Sequence, residues 1–146
     1  MTAEELWNKF AKENKLKDCY YDSWSFGEDA DLLAHLVVTG QKVATSSLYP
    51  LYEIENENIP QVGDYSVILD SKNNAVCIIK NQNVEIVPFD RITSLHAYKE
   101  GEGDKSLDYW REKHKDFFAK CMNEVGMVFT TNMKVVFEEF RVVYKL

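Results

Sequence analysis

The chain of 146 residues is most simply one domain, long enough to bury a single hydrophobic core without disulfide or metal support. A formal net charge of −7 without any basic run excludes a protein that coats nucleic acid, broad DNA binding included, because that mode relies on many lysine and arginine contacts to phosphate. The N-terminus has no basic-then-apolar signal pattern and no apolar run approaches membrane-spanning length, so we expect a soluble cytoplasmic protein without a membrane partner.

The first forty residues predict two amphipathic helices. Thr2, followed by Glu4 and Glu5, is typical of a helix N-terminus, and an apolar stripe continues from there to about Leu16. Acidic residues after position 27 suit the first turn of the second helix. We expect that helix to end at Gly40, because glycine readily adopts the left-handed conformation that stops a helix.

Between these helices, the segment CYYDSWSFG (19–27) is too rich in aromatic residues for an ordinary loop. Stacking of a base on an aromatic ring contributes about 1–3 kcal/mol and needs no basic surface. These side chains are therefore candidate stacking partners for a base, or they pin the segment to the core. They are Tyr20, Tyr21, Trp24 and Phe26.

The middle of the chain predicts strands. The stretch from 45 to 60 is interpreted as irregular. Next, GDYSVILD (63–70) and AVCIIK (75–80) are β-rich runs on either side of SKNN, a pattern that favours a hairpin. NVEIVPF (83–89) predicts a third strand, which ends near Pro88.

The last third of the chain predicts a long helix and a final strand. SLHAYKEGEGD (94–104) is interpreted as a short strand that runs into a loop, and the strongest helical periodicity begins at Ser106. KVVFEEFRVVYKL (134–146) predicts a strand with a bulge at Glu138 and Glu139. Helices that bracket mostly antiparallel strands indicate an α+β fold, with the strands curled into a small β-barrel or half-barrel.

Cysteine and histidine spacing disfavours both a disulfide framework and a zinc site, because no C-x-x-C pair and no close histidine pair is present. The cysteines are interpreted as small buried apolar residues, and His114, on the apolar side of its helix, as a hydrogen-bonded core histidine. The residues in question are Cys19, Cys77, Cys121, His35, His96 and His114.

Five stretches of the sequence carry a family resemblance: WSFG (24–27), LVVTGQKVATSS (36–47), IPQVGDYSVIL (59–69), HAYKEGEGD (96–104) and WREKHKDFF (110–118). Together they resemble the bacterial ASCH domain, a family related to the PUA-like RNA-binding barrels. The most specific elements are the G-x-K-x-x-T segment (40–45) and the E-G-E-G-D loop (100–104). The similarity extends from Trp24 to the C-terminal strand.

The resemblance implies a single ASCH domain over residues 1–146, with residues 1–18 as an N-terminal helical extension. It implies a PUA-like barrel of five or six strands flanked by helices, with a cleft where the G-x-K-x-x-T segment meets the E-G-E-G-D loop. ASCH domains are associated with RNA binding, some small members deacetylate N4-acetylcytidine, and others have been described as ribonucleases. We therefore expect RNA or a modified nucleoside as the partner, whereas the sequence does not fix the oligomeric state.

The resemblance also implies a ligand-binding pocket. We expect the ligand to contact the aromatic segment and the residues around the G-x-K-x-x-T element, which are Trp24, Phe26, Gly40, Ser46 and Ser47, together with the catalytic candidates. In the amidohydrolase branch the segment after the threonine carries an arginine. This chain has the two serines there instead.

A hydrolase similar to that branch would use Lys42, Thr45 and Glu100. A lysine partly withdrawn from water can act as a base toward a threonine hydroxyl or a water, and a carboxylate beside it can pass a proton to a leaving amine. Lys42 and Thr45 are three residues apart and would lie on opposite faces of a flat strand, so this interpretation requires a turn or bulge. The alternative is that Lys42 is a surface cation at a helix C-terminus and Thr45 an ordinary strand residue.

A ribonuclease would instead rest on Glu100, Glu102 and Asp104. These carboxylates are two residues apart, and an extended stretch would line them on one side as ligands for Mg²⁺ or Mn²⁺. The alternative is that the glycines form a tight turn and that Asp104 or Ser106 caps the long helix. Outside the ribonuclease hypothesis we expect no cofactor.

A third hypothesis makes the chain a protein-interaction module whose acidic face contacts a basic protein and whose family pocket is vestigial. It predicts that Lys42 and Glu100 lie more than about 10 Å apart with no cleft between them, beyond any shared hydrogen-bonded site.

Overall fold

A five-stranded mixed sheet forms the centre of the chain in a computed structural model that describes residues 1–146. The strands are β1 (Tyr21–Trp24), β2 (Ala44–Leu48), β3 (Tyr65–Leu69), β4 (Ala75–Pro88) and β5 (Lys134–Lys145). Their order across the sheet is β1-β3-β4-β5-β2. Only β1 and β3 run parallel, and the other neighbours are antiparallel. The α+β prediction is confirmed with five strands, although the outer strands β1 and β2 do not pair to close a barrel.

Five α-helices surround this sheet: α1 (Ala3–Glu13), α2 (Ala30–Val38), α3 (Tyr49–Ile54), α4 (Ser94–Glu100) and α5 (Leu107–Glu124). The predicted caps are present. The Thr2 side chain accepts a hydrogen bond from the backbone N–H of Glu5, and the Ser106 side chain accepts one from Tyr109. Gly40 follows α2 with a φ of +82°, the left-handed conformation expected there. None of the helices is long and apolar enough to cross a membrane.

Two segments differ from their predicted secondary structure. The stretch from 45 to 60, predicted irregular, contains most of β2 and all of α3, whose first turn includes Pro50. The stretch from 94 to 100, predicted as a strand, is helix α4. There the Thr93 side chain accepts from the backbone N–H of His96, and the His96 ring in turn accepts from that of Thr93. Histidine in the place of the usual glutamate hides this capping box from a sequence pattern.

The two strands predicted from AVCIIK and NVEIVPF are one strand, β4. Asn81 pairs with Phe140 and Asn83 with Glu139, so Gln82 has no partner residue on β5. The bulge predicted on β5 at Glu138 and Glu139 therefore lies opposite them, on β4. It bends the strand without ending it.

Three buried clusters fix the helices on the sheet. Because neighbouring residues of a strand point to opposite faces, Val67 and Ile68 of β3 contact different helices. Val67 packs with Leu6, Trp7 and Phe10 of α1, whereas Ile68 packs in the cluster that holds α2. Helices α4 and α5 pack in a third cluster with β2 and β5. All three cysteines are free, with Cys77 buried and the other two half-buried.

Candidate functional site

The turn between α2 and β2 places Lys42 inside the molecule. The backbone N–H groups of Gln41 and Lys42 both donate to the Leu36 carbonyl, at 2.9 and 3.0 Å, which closes the end of α2 around Gly40. Lys42 therefore precedes β2 and is not part of it. The functional interpretation of the G-x-K-x-x-T segment requires a turn here, and one is present, but it does not join Lys42 to Thr45 by a hydrogen bond. Only 1% of the Lys42 surface is exposed, so the surface-cation alternative does not hold.

The end of α4 lies directly on this turn. The Val43 N–H donates to the Lys99 carbonyl at 2.9 Å, and Gly101 ends α4 with a φ of +68°. A β-carbon at Gly101 would overlap the backbone of Gln41, so only glycine permits this approach. The two family segments are thus in contact with one another, fifty-eight residues apart in sequence.

Lys42 is held by three hydrogen bonds, which use all three of its N–H groups. Its Nζ donates to Glu102 Oε2 at 2.7 Å, to Glu100 Oε1 at 3.4 Å and to the Glu100 carbonyl at 3.4 Å. The Phe26 ring lies below the same nitrogen, 5.3 Å from ring centroid to Nζ. Two carboxylates and an aromatic face offset the cost of burying the ammonium.

Glu100 is equally buried and has four neighbours of its own. Ser46 Oγ donates to Oε2 at 2.6 Å, and the indole N–H of Trp110 donates to the same oxygen. His114 Nε2 and Lys42 Nζ lie 3.3 and 3.4 Å from Oε1. Burial by itself raises the pKa of Glu100, but the charges of His114 and Lys42 and the hydrogen bonds from His114 and Ser46 lower it to about 2. The carboxylate is therefore ionised at neutral pH.

His114 completes the group from helix α5. Its Nδ1 donates to the Trp110 carbonyl at 2.9 Å, and its ring stacks on the Trp110 ring at a centroid distance of 4.2 Å. Burial lowers the pKa of His114, but Glu100 and, more weakly, Glu102 outweigh that effect and raise it. His114 is a buried, hydrogen-bonded histidine, as the sequence predicted. The sequence did not anticipate the contact with Glu100, since the spacing along α5 gives no sign of it.

A cleft of about 1290 Å³ opens beside this group and extends across the sheet. Lys42, Glu100 and Glu102 form part of one wall, and residues from all five strands contribute to the lining. The predicted pocket residues that line it are Trp24, Phe26, Thr45, Ser46 and Ser47. The lining does not include Gly40, which is exposed at the end of α2, or Asp104, which is exposed and accepts from the Ser106 N–H.

Known proteins resemble this chain in sequence and in fold. Residues 22–144 match the model of the ASCH domain family. The chain belongs to the ASCH domain family. An ASCH domain from Lactobacillus crispatus JV V101 is 30% identical with a TM-score of 0.91, over 97% of this chain and 93% of that one. A protein from Enterococcus faecalis V583 is 34% identical with a TM-score of 0.91, over 97% of this chain and 88% of that one. No curated protein matches significantly.

Within this ASCH domain the polar residues of β2 face different neighbours. Ser46 contacts Glu100, whereas the Ser47 hydroxyl forms a 2.7 Å hydrogen bond with the Tyr52 hydroxyl. Burial raises the pKa of Tyr52 to about 12, so the phenol keeps its proton. Thr45 pairs with Glu138 across β2 and β5, and no hydrogen bond joins it to Lys42 or Glu100. Of the predicted catalytic residues, the structure brings two into contact and places the third elsewhere on the cleft lining.

The aromatic residues divide between core and cleft. Tyr21 stacks on Trp7 at 4.5 Å, and Phe26 is buried beneath Lys42, so both rings are engaged within the protein. Trp24 is half-buried, packs edge-on against Phe26 and lines the cleft. Tyr20 is 80% exposed and also lines it. The stacking and pinning alternatives therefore apply to different residues of one segment.

The residues around Glu100 do not fit a divalent cation. Glu100, Glu102 and His114 place one ligand atom each within 4.8 Å of one another, a donor set that suits such an ion. However, Lys42 donates to both carboxylates, and its ammonium supplies the positive charge there. Asp104, the third carboxylate of the predicted metal set, caps the turn before α5 instead.

The part of the cleft lining around Asn81 was not predicted from the sequence. Asn81 is 5% exposed, and its Nδ2 donates to Glu138 Oε1 at 2.9 Å and to the Gln61 carbonyl at 3.4 Å. Burial raises the pKa of Glu138, the negative charges of Asp64 and Asp22 raise it further, and the bond from Asn81 opposes them. The sequence singled out Glu138 only as part of a predicted β-bulge. A bulge indicates the geometry of a strand and does not indicate a binding site.

Proposed function

We propose that this ASCH domain binds a nucleoside-type ligand in the cleft, as a free nucleoside or as part of RNA. One observation carries the proposal. The G-x-K-x-x-T segment and the E-G-E-G-D loop meet at the wall of a single cleft, and the Trp24 ring lines the same cleft. The cleft is larger than the roughly 300–1,000 Å³ of ordinary small-molecule pockets, so a base and its sugar fit together.

The lining offers the chemistry that a base and its sugar require. The Thr45 hydroxyl can donate to or accept from base edges and sugar oxygens. The Ser46 oxygen, whose proton is donated to Glu100, can still accept from a ligand. Trp24 presents part of its ring to the same space, where stacking contributes about 1–3 kcal/mol. The binding needs no surrounding basic surface, which agrees with the net charge of −7.

The distance between Lys42 and Glu100 supports this proposal over an interaction module with a vestigial pocket. That hypothesis needs a separation above about 10 Å. The two side chains are 3.4 Å apart and border an open cleft.

An NMR titration with N4-acetylcytidine, cytidine and a short single-stranded RNA tests the proposal. We expect chemical-shift changes at Thr45, Ser46 and the Trp24 indole, and a loss of affinity of about tenfold in Trp24→Ala. Tyr98→Ala is the matched control, because Tyr98 is an exposed aromatic residue outside the cleft. Changes confined to the surface around Tyr98, or none with any of these ligands, would contradict the proposal.

A second candidate function is amide hydrolysis, favoured by the direct contact of Lys42 and Glu100 at the cleft wall. Water would attack the amide carbonyl carbon and the C–N bond would break, which gives a carboxylate and an amine that leaves with a proton. If the Thr45 hydroxyl attacks instead, the acyl group forms an ester with Thr45, and water then hydrolyses that ester. Because all three N–H groups of Lys42 are engaged, its use as a base requires that it first pass a proton to a neighbouring carboxylate. Glu100 is ionised, so within this candidate we assign proton donation to His114, which lines the cleft with its Nε2 3.3 Å from Glu100 Oε1.

Incubation with N4-acetylcytidine and with single-stranded RNA, each with and without EDTA, separates the candidates. Amide hydrolysis predicts deacetylation that survives EDTA, is lost in Thr45→Ala and is restored in Thr45→Ser, which keeps the hydroxyl. RNA cleavage that EDTA abolishes would favour a metal-dependent ribonuclease instead. If neither substrate reacts, the domain is a binding module.

A further inference from the structure

The charges that line the cleft are strongly unbalanced. Seven carboxylates contribute to the lining, against two lysines and His114. Glu28, Glu100 and Glu102 are each paired with a basic group. The other four, Asp22, Glu57, Asp64 and Glu138, form no ion pair.

No basic group in the lining is free to bind an anion. Lys42 is enclosed by Glu100 and Glu102, and His114 faces Glu100. The other lysine, Lys113, lies 3.2 Å from Glu28 and 3.4 Å from Asp29. A phosphate group entering the cleft would find each cation already neutralised, so it would meet net negative charge without a counter-ion.

The wall of the cleft around Asn81 carries further negative charge and also offers hydrogen-bond acceptors. Both hydrogen bonds of the Asn81 side chain use Nδ2, and because their partners are a carboxylate and a carbonyl, the orientation of the amide is fixed. Its Oδ1 is therefore left as an acceptor in a buried side chain that lines the cleft. Beside it lie the carboxylates of Glu138 and Asp64. A ligand that presents N–H or O–H donors fits this wall, and an anion does not.

We propose that the cleft selects its ligand by charge: it accepts the free nucleoside and rejects the same nucleoside carrying a phosphate, and Asp22, Asp64 and Glu138 impose that choice. The inference rests on the proposed nucleoside binding and narrows it to the unphosphorylated form. RNA, whose nucleotides all carry phosphate, is excluded from the cleft by the same charges.

Calorimetric titration of the full chain with the four common ribonucleosides and N4-acetylcytidine, each beside its 5′-monophosphate, tests the inference. We expect at least one nucleoside to bind about tenfold more tightly than its monophosphate at low salt, and the ratio to shrink as added salt screens the repulsion. In the triple variant Asp22→Asn, Asp64→Asn, Glu138→Gln the ratio should fall below about threefold.

The substitutions preserve the local hydrogen bonds, since the amide oxygens can accept from the same donors, the N–H groups of Ser23 and Gln61 and the Asn81 side chain. The matched control is Asp108→Asn, Glu112→Gln, Asp116→Asn, which changes the net charge equally but on exposed positions of α5 outside the cleft. The control should keep the wild-type ratio.

Each outcome bears on a different statement. Equal or tighter binding of a monophosphate overturns the charge selection while nucleoside binding stands. A ratio that persists in the cleft variant, or that falls equally in the control, overturns the assignment to these three residues. Failure of every nucleoside and every monophosphate to bind overturns this inference together with the free-nucleoside form of the proposed function, and the RNA form is decided by the NMR titration.

Discussion

Glu100 is a carboxylate kept ionised out of contact with water, and its neighbours determine how the molecule responds to acid. Its pKa of about 2 lies below the ordinary value of 4.5. The ionised form therefore stabilises the fold above pH 4.5, and that stabilisation is lost as the pH falls from 4.5 toward 2. His114 acts in the other direction. Its pKa is raised above 6.5, so its contribution is complete below 6.5 and is lost as the pH rises through the folded-state value.

We expect the free energy of unfolding to fall by on the order of 3 kcal/mol through Glu100 alone as the pH is lowered from about 5 to about 2. Urea denaturation at a series of pH values measures this. Glu100→Gln should be less stable at neutral pH and should lack that part of the acid dependence. Glu112→Gln, an exposed change on α5, should retain it. An acid limb that is the same in Glu100→Gln and in the wild type would contradict the assignment.

At the scale of single residues, the sequence predicted only those site residues that belong to a short family motif. Lys42 and Glu100 are far apart in the chain, and the family resemblance alone indicated that they belong together. Trp110 and His114 escape prediction because a helical repeat of apolar residues looks the same whether it faces a core or a buried carboxylate. Asn81 escapes for a different reason: its burial follows from the bulge beside it and from the loop that carries Gln61.

The junction between α4 and the turn before β2 is the element on which the site depends. Gly101 has a φ of +68°, and its α-carbon lies against the Gln41 backbone. A side chain there has to push α4 away from Lys42, which would weaken the contacts of Glu100 and Glu102 with the ammonium.

Gly101→Ala should therefore lower the free energy of unfolding by roughly 3 kcal/mol or more, from backbone strain together with the displaced junction. Gly126→Ala provides the comparison, because Gly126 has a φ of +75° and no atom within 4 Å of a built β-carbon. It should cost about 1–2 kcal/mol. Chemical denaturation gives both values, and the Val43 amide resonance should shift in Gly101→Ala alone. If the two substitutions lower the free energy of unfolding equally, the close approach of Gly101 to the Gln41 backbone does not contribute to stability.

Elements with a strong local signal were predicted well, and those that depend on neighbours were not. Helices α1, α2 and α5 combine a cap or an acidic first turn with a long apolar repeat, which is enough to predict them. Helix α4 has seven residues and an unusual cap, so its pattern also suits a strand. Strand β4 is long because it pairs with β5 on both sides of a bulge. That pairing depends on a distant segment, so the sequence of β4 alone does not predict its length.

At the scale of the whole molecule, the first eighteen residues, predicted as an N-terminal helical extension, contain α1, which is part of a buried cluster. Trp7 is buried against Phe10, Tyr21 and Tyr65, with ring centroids 4.5 to 5.5 Å apart. This cluster covers the face of β3 and β4 opposite to α2.

Trp7→Ala should destabilise the molecule by about 3–5 kcal/mol, as expected for removal of a large buried aromatic side chain. Lys9→Ala, on the exposed side of α1, should change stability by less than about 0.5 kcal/mol. Thermal and urea unfolding measure both. If Trp7→Ala has the small effect of an exposed position, α1 is an accessory to the fold and not a part of its core.

The position of β5 in the sheet has a consequence for biosynthesis. It is the last element in the chain, yet it lies between β4 and β2 and is the only strand to which β2 is bonded. While the ribosome is still adding β5, the turn with Lys42 has no sheet to join, and β4 exposes an unpaired edge. The nascent chain can assemble α1, β3 and the first half of β4, but the cleft can close only after residue 145 has left the exit tunnel. Until then, β2 is unpaired and the free edge of β4 is open to pairing with another strand.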